Sequence, residues 1–371
     1  MAAIRYESIL VEQALGREYA AEMQDALKGM GGLNDIKSLI RDFEKVFARY
    51  IGVKNAVAVN SGSDALKMAL LAAGVGKGDE VIVPDLTYQA VALAVFYCGA
   101  KPVPLDARAD DLQMDPALLE KALTGKTKAV IAAHMFGRPC EVERIGKICR
   151  DKNIVFIEDV CQAESSSYKG RMLGSFGDMA VFSFSYYKPL SSCGGGGGMV
   201  VCGNEQALRV RRWMEDWRND GELIKTGQRF APMAFMDLIA LRVKFSHLKE
   251  IIKSRHKIKI LYEQGLSAIE GLTIFKDLPQ TESVAQNFVV CCRPRDAFLD
   301  FLTAHGVMVQ KPYLPFHQME VLKKRDHKEK FPVSERYSAH ALHLPLYSFM
   351  SRQKAMNVIE CCSSFFKGGV R

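Results

Sequence analysis

From about residue 40 to residue 215, short apolar runs alternate with stretches in which apolar positions recur every three or four residues. That alternation predicts a mostly parallel sheet covered by helices. Phe43, Val46, Phe47 and Tyr50 share one face of the first helix. Strand-like runs follow at Asn55–Asn60, Glu80–Pro84, Lys101–Asp106, Lys128–Ala133, Ile154–Asp159, Met179–Ser185 and Met199–Cys202. Helical stretches at Asp64–Ala73, Gln89–Tyr97 and Glu141–Lys152 lie between them, and another is expected from Gln206 to Trp217. Residues 227–236 read as an irregular loop, and one long helix from Leu238 to Gln264 leads into the rest of the chain. The expected division is a large domain over 1–245 and a small α+β domain over 246–371.

The polar residues that interrupt this pattern gather just after strands, where open α/β sheets bind ligands. Lys188 follows Ala180-Val-Phe-Ser-Phe-Ser-Tyr-Tyr and precedes Pro-Leu-Ser-Ser-Cys and the glycines 194–198. Asp159 ends Ile157-Glu-Asp, twenty-nine positions upstream. A reactive amine and a carboxylate that keeps a pyridine nitrogen protonated are what pyridoxal phosphate chemistry requires. In Ser61-Gly-Ser-Asp-Ala-Leu, between a strand and a helix, the N–H groups of Ser63 and Asp64 would face an anion together with the helix dipole. By itself that segment also reads as a Ser N-cap with no ligand. Tyr88 is placed to stack on a planar group or simply to pack. Ser183 lies five residues before Lys188, so the two share a site only if the chain bends near Tyr186; otherwise Ser183 is a core serine bonded to backbone.

Taken together, in order and spacing, these segments resemble the DegT/DnrJ/EryC1/StrS sugar aminotransferases, which have the aspartate aminotransferase fold. The resemblance also covers Phe43-Glu-Lys-Val-Phe-Ala-Arg-Tyr-Ile-Gly-Val-Lys, Gly78-Asp-Glu-Val-Ile-Val-Pro, Gly99-Ala-Lys-Pro-Val, Gly174-Ser-Phe-Gly-Asp and Phe182-Ser-Phe. Downstream it takes in Phe331-Pro-Val-Ser-Glu-Arg and Leu344-Pro-Leu-Tyr. It implies a PLP-dependent transferase with pyridoxal 5'-phosphate as cofactor. Lys188 would carry the cofactor imine, Asp159 would pair with the ring nitrogen, Gln162 would contact the ring oxygen and Tyr88 would stack on its face. Gly62, Ser63 and Ser183 would hold the phosphate. The resemblance also implies a homodimer with shared active sites, in which Asn219 reaches the partner's phosphate. Similar proteins that dehydrate sugars carry histidine where Lys188 stands, so lysine implies transamination from glutamate or glutamine to a ketosugar or cyclitol. His317, Lys311 and Tyr313 are the candidates for substrate contacts. The alternatives are another reaction of the same cofactor, or a sensor that keeps the cofactor without turnover.

Three departures bear on the substrate. The run Gly194–Gly198 lacks the acidic residue usual in similar proteins, Arg229-Phe-Ala-Pro-Met233 replaces their Tyr-Asn-Tyr-Arg-Met segment, and Asp220 stands where histidine is common.

Composition narrows the rest. Hydrophobic content of 48% and charged content of 25% are those of a globular chain, and no apolar run approaches the roughly 20 residues of a membrane helix. The start of the chain does not read as a secretory signal, so a cytoplasmic location is expected. The ten cysteines lack metal-ligand spacing with histidines and read as small core residues, with no metal expected. The net charge of +8 comes from interleaved residues rather than a basic tail, which suits an anionic small substrate better than nucleic acid.

Overall fold

The structure of the protein, a computed structural model, describes residues 7–28, 30–192, 194–214, 230–320 and 330–368. The stretches between them, including Asn219 and Asp220, lie outside the described residues.

After α1 (Glu7–Lys28) and α2 (Leu33–Ile51) the chain alternates strands and helices: β1 (Asn55–Val59), α3 (Gly62–Ala72), β2 (Glu80–Pro84), α4 (Ala90–Tyr97), β3 (Lys101–Leu105), α5 (Pro116–Ala122), β4 (Thr127–Ala133), α6 (Val142–Asp151) and β5 (Val155–Asp159). Two short strands, β6 (Ser167–Tyr168) and β7 (Arg171–Met172), precede β8 (Met179–Ser183), β9 (Gly198–Cys202) and α7 (Asn204–Arg212). Seven strands form one sheet in the order β1-β9-β8-β5-β4-β2-β3. All neighbours are parallel except β9, which runs antiparallel to both β1 and β8. Successive side chains on a strand point to opposite faces, and here both faces are covered. Ala58, Ile82, Val130, Phe156 and Phe182 join Phe43 and Phe47 of α2 in one core. Val59, Val83, Ile131, Ile157 and Val181 join Leu66 and Met68 of α3 in the other. Val46, at the margin of the α2 stripe, stays exposed.

The expected long helix is two helices, α8 (Phe235–Ser246) and α9 (Leu248–Leu266), separated at His247. Ser246 Oγ donates back to the Val243 carbonyl at 2.7 Å. The apolar period continues through the break, and Leu248 at the start of α9 still packs in the large-sheet core, so the change of core comes further along α9. Leu238 and Leu241 pack beneath the large sheet. Ile258, Tyr262 and Leu266 belong to a C-terminal core. That core is built on the antiparallel sheet β10-β12-β13, formed by Leu272–Ile274, Phe288–Cys292 and Ala341–Leu344. Helices α10 (Arg295–Ala304), α11 (Pro332–His340) and α12 (Arg352–Lys367) accompany it. β11 (Thr281–Glu282) pairs with β6 of the large part.

Two buried carboxylates just past the ends of β2 and β3 hold the C-terminal half. Asp85 accepts the His317 N–H and Nδ1, each at 2.7 Å. Asp106 accepts Val333 N, Ser334 N and Ser334 Oγ, at 3.0, 3.0 and 2.6 Å, at the start of α11. Among the described residues no helix is long and apolar enough to cross a membrane.

Candidate active site

The carboxyl ends of β1, β2, β4, β5 and β8 open on one edge of the sheet. There a cavity of about 660 Å³ is lined by Ser61, Gly62, Ser63, Tyr88, Asp159, Gln162, Ser183, Lys188 and Tyr313, among others. Strand parity explains much of the convergence. Asp159 falls in step with Ile157, and Ser183 in step with Met179 and Val181, so both lie on the α3 side of the sheet. Glu158 points the other way. Its carboxylate accepts the N–H groups of Gly174, Phe176 and Gly177 at 3.0, 2.7 and 2.8 Å and meets His134 Nε2 at 3.2 Å. Adjacent acids thus divide their tasks, one fixing the turn before β8 and the other facing the cavity.

Ser61 caps α3, its Oγ accepting the Asp64 N–H at 3.1 Å. The first N–H groups of a helix have no carbonyl one turn earlier, so those of Gly62 and Ser63 are donors for an anion. A Cβ at Gly62 would stand 2.6 Å from Ser183 Cβ, so only glycine lets the helix start approach that hydroxyl. Asp64 itself does not line the cavity; its carboxylate receives Asn60 Nδ2 at 3.4 Å. β8 ends at Ser183 and the chain turns at Tyr186 and Tyr187, with the Lys188 N–H bonded to the Ser185 carbonyl at 3.0 Å. That bend brings Ser183 and Lys188 to one cavity.

Gln162 Oε1 accepts the buried Phe136 N–H at 2.9 Å, which leaves its amide nitrogen as the donor end. Asp159 Oδ1 accepts the Cys161 N–H at 3.0 Å. Tyr88 is half-exposed and meets the Tyr313 ring edge-on at 5.8 Å between centroids. Burial raises the pKa of the Tyr313 hydroxyl.

Of the three expected substrate contacts, only Tyr313 lines the cavity. His317 is held by Asp85 and stacks on Phe331 at 4.5 Å. Burial pulls its pKa down, but the Asp85 carboxylate outweighs that and holds it above the ordinary range. Its Pro-Phe-His setting gave no hint of a buried acid 232 positions away in sequence. Lys311 is exposed and pairs with Asp296 at 3.1 Å.

The cavity also gathers residues that the sequence did not single out. Thr87 has a buried hydroxyl with no hydrogen-bond partner among the described residues. Its only sequence signal was its place beside Tyr88. Gln286, Gln310 and His343 come from the C-terminal half. His343 Nε2 meets the Tyr337 hydroxyl at 2.8 Å, and burial pushes its pKa down to about 4, so it is a neutral imidazole. Nothing in the order of residues announces that a distant strand will complete the wall.

The model of the DegT/DnrJ/EryC1/StrS aminotransferase family matches residues 14–363. The chain is 32% identical over 323 residues to dTDP-3-amino-3,4,6-trideoxy-alpha-D-glucose transaminase of Streptomyces venezuelae, spanning 86% of this chain and 85% of that one. It is 30% identical over 332 residues to a pleiotropic regulatory protein of Geobacillus stearothermophilus, spanning 88% and 89%. Its backbone matches the crystal structure of S. venezuelae DesV in complex with ketimine intermediate with a TM-score of 0.90, at 29% identity and over 98% of each chain.

Proposed function

Because the chain belongs to the DegT/DnrJ/EryC1/StrS aminotransferase family, we propose that it is a sugar aminotransferase using pyridoxal 5'-phosphate. It takes an amino group from glutamate or glutamine and delivers it to a keto carbon of a nucleotide-linked sugar or cyclitol. The observation that carries this reading is the meeting of Lys188, Asp159 and the start of α3 in one cavity.

The residues present suit the cofactor. Gly62 leaves open the approach of α3 to Ser183 that a side chain would fill, and Ser63 and Ser183 supply further donors for a phosphate. The Gln162 amide, fixed by Phe136, offers an N–H to a ring oxygen. Thr87 brings a buried hydroxyl with no hydrogen-bond partner among the described residues. Tyr88 stacks on a planar ring, and Asn219 is assigned to the partner's phosphate by resemblance. When bound, the cofactor's pyridine ring supplies an electron sink for the bond broken at the donor's α-carbon. Asp159 keeps a proton on the ring nitrogen. Lys188 Nζ would attach the cofactor at rest and, once displaced as a neutral amine, would carry the proton from the donor's α-carbon to the cofactor's carbon. After the keto acid leaves, the same amine works in reverse on the sugar. Tyr313 and His343 present a hydroxyl and a neutral imidazole where the second substrate would enter.

The enzyme acts in the cytoplasm as a homodimer whose partner closes each site and excludes water. Similar proteins named as transaminases of dTDP-sugars support a nucleotide-linked acceptor. The relative named as a pleiotropic regulatory protein favours a second reading, a cofactor-retaining sensor. The purified protein with cofactor and glutamate or glutamine separates the two. Conversion of the cofactor spectrum to the pyridoxamine form, followed by amine transfer to a dTDP- or GDP-ketosugar, supports the transaminase. A spectrum that no donor converts supports the sensor.

A further inference from the structure

The loop that carries Lys188 leaves β8 at Ser183 and returns at Gly198, and three buried ionisable side chains hold it from beneath. Glu164 is 1% exposed, and its Oε1 accepts the Leu190 N–H at 3.2 Å. Its Oε2 is buried with no hydrogen-bond partner among the described residues. Lys244, also 1% exposed, donates from α8 to Ser191 Oγ at 2.6 Å. Asp237, two turns earlier on that helix, accepts the Gly194 N–H at 3.1 Å. Ser192 closes the loop on itself, its N–H bonding the Phe184 carbonyl and its Oγ the Gly196 carbonyl, each at 2.7 Å.

This arrangement gives the glycine run a purpose. A Cβ at Gly194 would stand 2.5 Å from Asp237 Oδ1, and one at Gly196 would stand 2.7 Å from Asp237 Oδ2. The run is fitted around a carboxylate supplied by a helix some forty residues later. Burying an ionisable group costs free energy before its partners compensate, so three of them under one loop argue for fixing its position rather than for bulk stability.

We propose that Asp237, Lys244 and Glu164 are positioning residues that lock the loop so that the Lys188 amine stands in the cavity with Asp159. The proposal rests on the reading of Lys188 as the cofactor-bearing amine.

The test compares Asp237→Ala, Asp237→Asn and Glu164→Gln in the full chain, with and without pyridoxal phosphate. Amide hydrogen exchange over residues 189–197 should quicken by about tenfold or more in Asp237→Ala, the scale set by losing a hydrogen bond to a charged group. Asp237→Asn, whose side-chain carbonyl still accepts the Gly194 N–H, should fall between it and wild type. Exchange in the strands should not change. The donor half-reaction should lose kcat by a similar factor while the donor KM stays within about twofold. Exchange over 189–197 at the wild-type rate in folded Asp237→Ala would overturn the proposal. So would quickened exchange with an unchanged half-reaction rate and unchanged borohydride trapping at Lys188. If Asp237→Ala does not fold, Asp237→Asn carries the same reading. Exchange needs no substrate, so a wild type that failed to transaminate would sink the proposed function while the loop measurement still stood.

Discussion

Lys188 and Asp159 sit on different strand ends yet share one cavity, and the chemistry proposed here needs both. Lys188→Ala should abolish borohydride trapping at that position, located by intact and peptide mass, and lower turnover by on the order of a thousandfold or more. Asp159→Ala should cost about a hundredfold through loss of the ring-nitrogen partner, with trapping retained. Two other buried groups make a paired prediction about pH. Burial pushes the Glu164 carboxyl up from 4.5 to about 7 against the opposing pull of the Lys188 charge. The native state then holds a proton that the unfolded chain has lost, so this group makes stability fall as pH rises from 4.5 to about 7. His343 is pushed by burial from 6.5 down to about 4 and acts with the opposite sign. Its contribution is complete above 6.5 and is lost as pH falls towards 4. The windows overlap, so the two slopes offset each other in the wild type. Denaturant melts between pH 4.5 and 6.5 should show Glu164→Gln gaining a stability that rises with pH, and His343→Gln one that falls, each by on the order of a few kcal/mol. Parallel curves for wild type and variants would contradict the assigned shifts.

At the scale of elements, the start of α3 is where a single atom matters most. Gly62→Ala places a methyl 2.6 Å from Ser183 Cβ. It should cost about 1–3 kcal/mol in chemical denaturation and weaken cofactor retention, because helix and strand must separate to admit it. Retention of both at the wild-type level would show that the close approach is not needed. The break between α8 and α9 is an element the sequence concealed. Periodicity reports that a face is apolar, not which core receives it, so Leu238 and Tyr262 read as one stripe although they pack in different places.

For the whole molecule, the carboxylates past β2 and β3 join sequence segments more than two hundred residues apart. Asp106→Ala leaves two N–H groups and a hydroxyl at the start of α11 without their acceptor. That should cost about 1–3 kcal/mol, read as a lower denaturation midpoint. The same variant should make loss of the C-terminal part precede loss of the sheet, seen as non-coincident fluorescence and circular dichroism transitions. Coincident transitions at an unchanged midpoint would count against Asp106 as a joint between the two parts.

The amino-acid order alone determined the alternation of strands and helices, because period-two and near-period-four burial leave distinct traces. It also determined the residues at strand ends, since polar groups stand out where an apolar run stops. Lys188, Asp159, Ser63 and Tyr88 stood out for that reason, whereas Gln162 and Gly62 came only from the resemblance and Ser183 stayed open between a site and a core role; all of them line the cavity. Only the tertiary structure decided what comes to them from a distance. Asp237 reaches the glycine run, His343 and Gln286 complete the cavity wall, and Asp85 draws His317 away from it. Such contacts depend on how elements stack in space, and a linear sequence carries no local trace of a partner brought near by packing.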